Sequence, residues 1–331
     1  MKTWLSIEPG GPECLKLSDV APPSLERGQV LISVRACGLN FPDLLFMRDH
    51  YQVKLPRPFA PGAEIAGTIV AVADDVTGFA LGDPVVAVTG HGGLAEMAAV
   101  SADRCFPLAS GVGFADAASL LFTYGTVHYA LRRRAHLQPG ERVLVLGAGG
   151  GIGLAAVEVA VAMGAEVCAA ASSEDKLTLA RARGAHKCLL YPSELSAEGS
   201  RPLAAAFKSL VGDSSADIVI DPVGGLYSEA ALRAIAWEGR YLVIGFAAGI
   251  PQLPLNLALL KGCQIIGVDW RQFQLRDPSG FATDTCELIA MVGRGQIRPN
   301  PREVVPFSAA PEALSRMDQR EINGKIVVEL S

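Results

Sequence analysis

The chain has 331 residues, of which 50% are hydrophobic and 19% are charged, and its formal net charge is −5. This length exceeds one ordinary core and predicts two domains, while the acidic balance without a basic run argues against a nucleic-acid surface. The chain has no uninterrupted apolar stretch of membrane-spanning length and no signal-peptide core at its start. Its seven cysteines are scattered and include no C-x-x-C pair. Together these features predict a cytoplasmic protein with free thiols.

The first part of the chain contains short β-like runs separated by turn residues. The runs are Val30–Ala36, Ala66–Val72, Pro84–Val88 and Ala95–Val100. They predict a compact, mainly β domain over residues 1–122.

The segment from Arg142 to Lys176 reads RVLVLGAGGGIGLAAVEVAVAMGAEVCAAASSEDK. An apolar run from Val143 to Leu146 enters a glycine cluster, which opens into an apolar helix and then a second strand, Glu166–Ala171. A strand, glycine loop, helix and strand within roughly thirty residues are typical of the dinucleotide-binding unit of a Rossmann domain.

The glycines follow the spacing Ala148-x-Gly150-x-x-Gly153, with alanine in place of the usual first glycine. Gly150 lets the backbone approach a pyrophosphate, and Gly153 lets the helix pack closely on the strand. Gly151 and Ile152 begin the helix, whose N-terminus offers N–H groups and partial positive charge to phosphates. We therefore expect these five residues to bind the cofactor.

The end of the second strand indicates which cofactor binds. A site for NAD usually has Asp or Glu here to bind the ribose 2′-OH, but this chain has Ser172 and Ser173, followed by Lys176. Hydroxyls and a cation suit a 2′-phosphate, which a carboxylate would repel. The alternative is that a serine only caps the helix Glu174–Arg183 and that Lys176 lies on its solvated face. Both can hold, and we expect NADPH.

After residue 122 helices and strands alternate, which predicts a doubly wound parallel sheet and an α/β fold. Further strands are expected at Asp217–Asp221, Arg240–Gly245 and Gln264–Val268, and a helix at Tyr227–Trp237. We place the Rossmann domain at residues 123–268 and expect residues 269–331, which end in a strand at Lys325–Leu330, to return to the first domain.

The segment Gly262–Val268 carries no charge and would leave an apolar sheet edge exposed. Pairing of two such edges predicts a homodimer. The alternative is that the tail helices of the same chain cover this strand.

The chain resembles the medium-chain dehydrogenase/reductase superfamily and, within it, the zinc-free quinone oxidoreductase branch that includes ζ-crystallin. The resemblance covers essentially the whole chain and implies a GroES-like catalytic domain before the Rossmann domain. The residues that carry it are CGLNFPD from Cys37, PFAPGAEIAG from Pro58, GDPV from Gly82, the segment Gly90 to Glu96, the glycine loop and NGKIV from Asn323.

The chain departs from the zinc alcohol dehydrogenases of that superfamily at two metal ligands. The resemblance implies a ligand cysteine at the position of Asn40 and a ligand histidine at the position of Ala63. The four closely spaced cysteines of the structural-zinc lobe also have no counterpart between Gly90 and Leu121. Because zinc needs three or four sulfur, imidazole or carboxylate ligands, we expect no metal.

Without zinc, hydride delivery to an unactivated ketone lacks an electrophile. An acceptor conjugated to a carbonyl needs less electrophilic activation, because the negative charge is delocalised onto an oxygen that hydrogen-bond donors can stabilise. We therefore expect a quinone or an α,β-unsaturated carbonyl compound as the small-molecule substrate, as the resemblance also implies.

Three residues are candidates for the catalytic donors. Asn40 is either an oxygen anchor or a loop-stabilising amide, and Tyr51 is either a proton donor or substrate anchor, as in related enoyl reductases, or a loop tyrosine. The resemblance implies that Thr126 contacts the nicotinamide amide, although its hydroxyl could also simply start a helix.

The resemblance adds further cofactor contacts. Tyr191 would lie near the 2′-phosphate, or would only pack at a strand end, and Gly245 and Phe246 would pass the nicotinamide. Arg320 would add a phosphate or carboxamide contact, or be a solvated arginine.

Two other functions remain open. One is the reduction of enoyl thioesters, for which Arg271 and Arg276 could offer a basic entrance to the carrier phosphates. The other is a non-catalytic NADPH-binding protein with a structural or regulatory role.

Overall fold

The computed structural model describes residues 1–212 and 215–330 of the chain. It contains the strands β1 (Lys2–Ser6), β2 (Leu15–Asp19), β3 (Gln29–Gly38), β4 (Glu64–Val72), β5 (Pro84–Val88), β6 (Met97–Ser101), β7 (Cys105–Pro107), β8 (Arg142–Val145), β9 (Glu166–Ala171), β10 (Lys187–Leu190), β11 (Ala216–Asp221), β12 (Ile235–Val243), β13 (Gln264–Gly267), β14 (Glu303–Pro306) and β15 (Ile326–Glu329).

The α-helices are α1 (Phe41–Met47), α2 (Phe114–Ala117), α3 (Leu121–Tyr129), α4 (Gly151–Ala162), α5 (Glu174–Ala182), α6 (Ser200–Val211), α7 (Gly225–Leu232), α8 (Asn256–Lys261), α9 (Trp270–Arg276), α10 (Pro278–Gly293) and α11 (Ala310–Asp318). Within the two described ranges, no helix is both long enough and apolar enough to cross a membrane.

The chain divides into two compact units, of which the first comprises Met1–Phe122 and Asp277–Ser331. Its main sheet has the order β14-β15-β3-β4-β5-β7, and β6 also pairs with β3. The last strand, β15, pairs antiparallel with β3, so that Val327 lies opposite Gly38. This unit is the mainly β domain that the sequence predicts, and its core includes the fully buried side chains of Ile32, Ile65 and Leu94.

The second unit, Thr123–Arg276, is built on a parallel sheet with the order β10-β9-β8-β11-β12-β13. The strands diverge from β8 in both directions, which is the strand order of a doubly wound Rossmann sheet. Such a sheet binds ligands at the carboxyl ends of its strands, at the point where the order reverses. In this unit that point lies between β8 and β11.

The structure differs from the sequence analysis at the second domain boundary. We expected residues 269–331 to return to the first domain, but α9 belongs to the second unit. Phe273 of α9 stacks on Tyr129 of α3 with ring centroids 4.3 Å apart and planes 10° apart. Residues 213–214 and 331, which fall within the two predicted domains, lie outside the described residues.

The helix expected at Tyr227–Trp237 is wrong in its second half. Helix α7 ends at Leu232, and β12 begins at Ile235. The register on β11 shifts from Ala216 opposite Ile235 to Ile218 opposite Arg240, so β12 contains extra residues near Glu238, whose φ is +59°. The apolar residues before this irregularity suit a strand as well as a helix.

Candidate functional site

The glycine loop lies at the carboxyl end of β8, at the point where the strand order reverses. The N–H of Gly150 donates to the carbonyl oxygen of Gly147 at 2.9 Å, and Gly147 has a φ of +59°. A Cβ at Gly153 would lie 2.1 Å from the oxygen of Gly147, so only glycine allows α4 to approach the loop this closely. Gly150 is exposed, and a Cβ there would meet nothing nearer than 3.5 Å. The loop thus has an open face lined by backbone, which fits a pyrophosphate.

The polar residues after β9 lie beside this loop. The ammonium of Lys176 donates to the hydroxyl of Ser172 at 3.1 Å, and the hydroxyl of Ser173 caps α5 by accepting from the backbone N–H of Lys176 at 3.4 Å. A Cβ at Gly149 would lie 2.3 Å from both Cβ and Cγ of Lys176, so the lysine stem crosses the loop at Gly149. The N–H of Ala148 donates to the oxygen of Ala170 in β9 at 3.0 Å, which joins the loop to this strand.

Tyr191 follows β10 and is buried, with 6% of its surface exposed. Its hydroxyl accepts a hydrogen bond from the N–H of Gly147 at 3.2 Å, and its ring lies 5.0 Å from that of Tyr227. Burial raises the pKa of the Tyr191 phenol. The side chain of Tyr191 therefore supports the glycine loop at Gly147, and the sequence analysis missed this contact.

Asp221, at the end of β11, connects the loop after β11 to α7 and to β12. Its buried carboxylate accepts from the N–H groups of Val223 and Gly224, both at 2.8 Å, and from the hydroxyls of Ser228 at 2.5 Å and Tyr241 at 2.6 Å. Sequence reasoning missed this role, although a carboxylate at the end of an apolar strand was a visible signal.

The Asp221 backbone oxygen accepts from the N–H of Gly245 at 3.3 Å, which places the start of the loop that contains Phe246. Phe246 is 49% exposed. Gly245 and Phe246 thus lie at the carboxyl edge of the sheet, where ligands of this fold bind.

In the first unit, both polar atoms of the Asn40 side chain are hydrogen-bonded. Its two amide hydrogens are directed at the oxygen of Gly38 and at Oε1 of Glu64, both at 3.1 Å, and its oxygen accepts from the ammonium of Lys325 at 2.5 Å. Lys325 also donates to Oε1 of Glu64. Asn40, Glu64 and Lys325 therefore form one buried cluster. It has no amide hydrogen left with which to anchor a substrate oxygen, so the loop-stabilising alternative describes its contacts.

Asp43 belongs to the same cluster. Its carboxylate accepts from the backbone N–H of Asn40 at 2.8 Å and from that of Gly62 at 2.9 Å. Burial raises the pKa of Asp43 from 3.8 to about 6, and these two hydrogen bonds and Lys325 lower it less than burial raises it. Burial also raises the pKa of the neighbouring Cys37 thiol.

These residues do not fit a zinc ion. The side-chain oxygen of Asn40 is bound by an ammonium, and Ala63 has no ligand atom. In the part of the chain that the structure describes, no three His, Cys, Asp or Glu side chains are grouped so that they could hold a metal.

The other predicted site residues lie on different elements. Tyr51 is half-buried after α1, with its ring 4.4 Å from that of Phe46. Thr126 is buried within α3, and Arg320 is exposed just beyond α11 with a φ of +61°. Arg276 bonds to Gln272 of its own helix at 3.2 Å.

Comparison with known proteins agrees with this architecture. Residues 26–110 match the alcohol dehydrogenase GroES-like domain, and residues 151–283 match the zinc-binding dehydrogenase family. Quinone oxidoreductase-like protein 2 of Rattus norvegicus is 37% identical over 318 residues, which cover 96% of this chain and 89% of that protein. Quinone oxidoreductase of the same species is 33% identical, covering 95% of this chain and 92% of its own length.

The chain belongs to the quinone oxidoreductase family of the medium-chain dehydrogenase/reductase superfamily. A solved mycobacterial structure in complex with NADPH matches 100% of both chains with a TM-score of 0.91 and 27% identity. Membership of this family makes the chain an oxidoreductase. It also confirms the Rossmann and GroES-like architecture that the sequence predicts.

Proposed function

We propose that this chain is an NADPH-dependent oxidoreductase that delivers hydride to a quinone or another α,β-unsaturated carbonyl compound without a metal. The observation that carries the cofactor choice is the contact between Lys176 and Ser172 beside the glycine loop, with no carboxylate at the end of β9. The NADPH-bound mycobacterial relative and the quinone oxidoreductase relatives support the proposal.

The glycine loop would hold the pyrophosphate with the first N–H groups of α4, at Gly151, Ile152 and Gly153. Ser172, Ser173 and Lys176 would hold the 2′-phosphate, because an ammonium and hydroxyls favour a dianion. Tyr191 would act by supporting the loop at Gly147.

Gly245 and Phe246 would lie along the nicotinamide, and Arg320 and Thr126 would add contacts to the cofactor. Tyr51 would anchor the substrate or donate a proton. When bound, NADPH supplies the hydride.

The absence of suitable zinc ligands at Asn40 and Ala63 supports a metal-independent reaction. We expect purified protein to contain no stoichiometric zinc by elemental analysis and to retain its activity with a chelator. Stoichiometric zinc, or loss of activity on chelation, would contradict this part of the proposal.

The acceptor is tested by following NADPH consumption with 1,4-benzoquinone, with crotonyl-CoA and without an acceptor. We expect turnover with the quinone. Turnover with crotonyl-CoA alone would identify an enoyl-thioester reductase instead. NADPH binding without turnover of either acceptor would indicate a non-catalytic NADPH-binding protein.

A further inference from the structure

The reduction of a conjugated carbonyl leaves negative charge on an oxygen, and a positioned donor must stabilise it. Asn40 cannot be that donor in this structure, because both of its amide hydrogens are directed at Gly38 and Glu64. The group next to Asn40 is the ammonium of Lys325, which lies 2.5 Å from the amide oxygen.

We propose that Lys325 is a catalytic residue, whose ammonium donates a hydrogen bond to the oxygen that becomes negative on the acceptor. This inference rests on the proposed function. An ammonium has three N–H donors, and two of those on Lys325 are directed at Asn40 and Glu64. Among residues 1–212 and 215–330, the structure shows no hydrogen-bond acceptor for the third.

The surroundings of Lys325 hold its ammonium in a fixed position. Its side chain is only 8% exposed, and that of Glu64 is fully buried. Removing a buried ammonium from water is costly unless a carboxylate pairs with it, and Glu64 is that partner. The other oxygen of Glu64 accepts from the backbone N–H of Phe122 at 2.8 Å, so the carboxylate is itself held in place.

The low exposure of Lys325 also strengthens the hydrogen bond that its third N–H can donate to a negative oxygen. A donor in a water-excluded site interacts more strongly with a developing charge than the same donor in water. The ring of Phe122 lies 6.0 Å from the ammonium and contributes an apolar wall. A planar conjugated acceptor suits such surroundings better than a charged one.

Hydride adds to a carbon of the conjugated acceptor, and the π-electron pair moves onto the carbonyl oxygen, which accepts a hydrogen bond from Lys325. The acceptor gains two electrons and NADPH loses two, while water supplies the proton that completes the product. Lys325 keeps its own proton throughout.

The test uses a double variant, Lys325→Met with Glu64→Gln, so that no carboxylate is left buried without its cation. Its matched control is Arg316→Met with Glu303→Gln, which removes a second ion pair of the same unit, whose atoms lie 2.7 Å apart at 36% and 33% side-chain exposure. Circular dichroism and the dissociation constant for NADPH establish that each variant folds and binds the cofactor.

We expect the Lys325 double variant to lose on the order of 10²-fold in kcat with 1,4-benzoquinone, as for loss of one oxyanion donor. We expect its NADPH affinity to stay within about twofold of wild type, since one lost charged contact would cost about tenfold. The control should keep its kcat. A folded double variant with wild-type kcat would overturn the proposal.

A second measurement needs no turnover and is made on the wild-type protein with saturating NADP⁺. 4-Nitrophenol serves as the probe, because its phenolate absorbs visible light and resembles the reduced oxygen. We expect bound probe to ionise at a lower pH than free probe, and this shift to vanish in the double variant. An unshifted pKa for the probe on wild type would overturn the role of Lys325. Failure of wild type to reduce any acceptor, with the probe shift intact, would reject only the proposed function.

Discussion

Asp43 is a buried carboxylic acid at the start of α1, and its pKa is raised from 3.8 to about 6. Between these two values the folded chain holds a proton that the unfolded chain has released. The stability that this group contributes is therefore fully present below about pH 4 and is lost as the pH rises through about 6. The difference between the two pKa values corresponds to about 3 kcal/mol.

We predict that Asp43→Asn removes this pH dependence. As the pH rises from 4 to 7, the free energy of unfolding of wild type should fall by up to about 3 kcal/mol relative to that of the variant. Urea denaturation across that range measures it. Asp19→Asn, at a side chain that is 81% exposed, is the control. Parallel curves for wild type and Asp43→Asn would show that Asp43 does not titrate in this window.

Lys176 tests the cofactor choice at a single residue. We predict that Lys176→Ala weakens NADPH by roughly tenfold or more and leaves NADH nearly unchanged, because one charge-assisted contact contributes about 1.5–3 kcal/mol. Fluorescence titration of both cofactors measures this. Arg181→Ala removes a charge from the exposed surface of the same helix, where Arg181 lies 3.5 Å from Glu174, and therefore controls for damage to α5. Equal weakening of both cofactors would mean that Lys176 only supports the helix.

The clusters around Lys176 and Lys325 differ in how far apart their residues lie in the sequence. Ser172 and Lys176 are four positions apart and flank the N-terminus of α5, so the sequence already indicates that they lie near each other. Lys325 and Glu64 are 261 positions apart, and both lie inside motifs that carry the family resemblance without any sign that they pair. The sequence makes Asn40 a candidate donor, but only the structure shows that its amide hydrogens are directed at Gly38 and Glu64.

Two glycines of the cofactor-binding motif, Gly150 before α4 and Gly153 within it, have separable roles. A Cβ at Gly153 would meet backbone atoms at 2.1 and 2.7 Å, so Gly153→Ala must push α4 away from the loop. We predict a loss of about 1–3 kcal/mol in stability, as for overpacked cores.

Gly150→Ala is the matched substitution, since its Cβ has space and its φ of −86° suits any residue. It should leave stability unchanged and weaken NADPH and NADH alike. Thermal denaturation and cofactor titration of both variants separate the two effects. Equal stability of the two variants would contradict the packing role of Gly153.

Elements with a single consistent signal were predicted well, and those with competing signals were not. The predicted bounds of β5 and β9 agree with the structure, because apolar β-branched or small residues are bounded there by turns. The segment after Leu232 was predicted as helix, yet Ile235–Trp237 lies in β12. Its apolar residues fit either period, and pairing with β11 decides between them.

The two edges of the Rossmann sheet differ in the charge that they carry. The β10 edge carries Lys187, whose ammonium lies 2.9 Å from the carboxylate of Glu166, and such a charge discourages pairing with another strand. Strand β13 contains no charged residue and exposes Ile265, and the guanidinium of Arg134 donates to the carbonyl oxygen of its Gly267 at 3.2 Å. Beside it in sequence, α8 exposes Leu259 at 80% and Leu260 at 65%, and these apolar side chains are unusual on a free surface.

We therefore predict a homodimer in which β13 of two copies pair edge to edge, since two-fold closure covers both edges at once. Light scattering at micromolar concentration should give twice the chain mass for wild type and the chain mass for Ile265→Lys, because the lysine would place a charge in the interface. Leu81→Lys, at a 70% exposed position of the first unit, should remain dimeric. A monomeric wild type would overturn the prediction, and a dimer that survives Ile265→Lys would place the interface elsewhere.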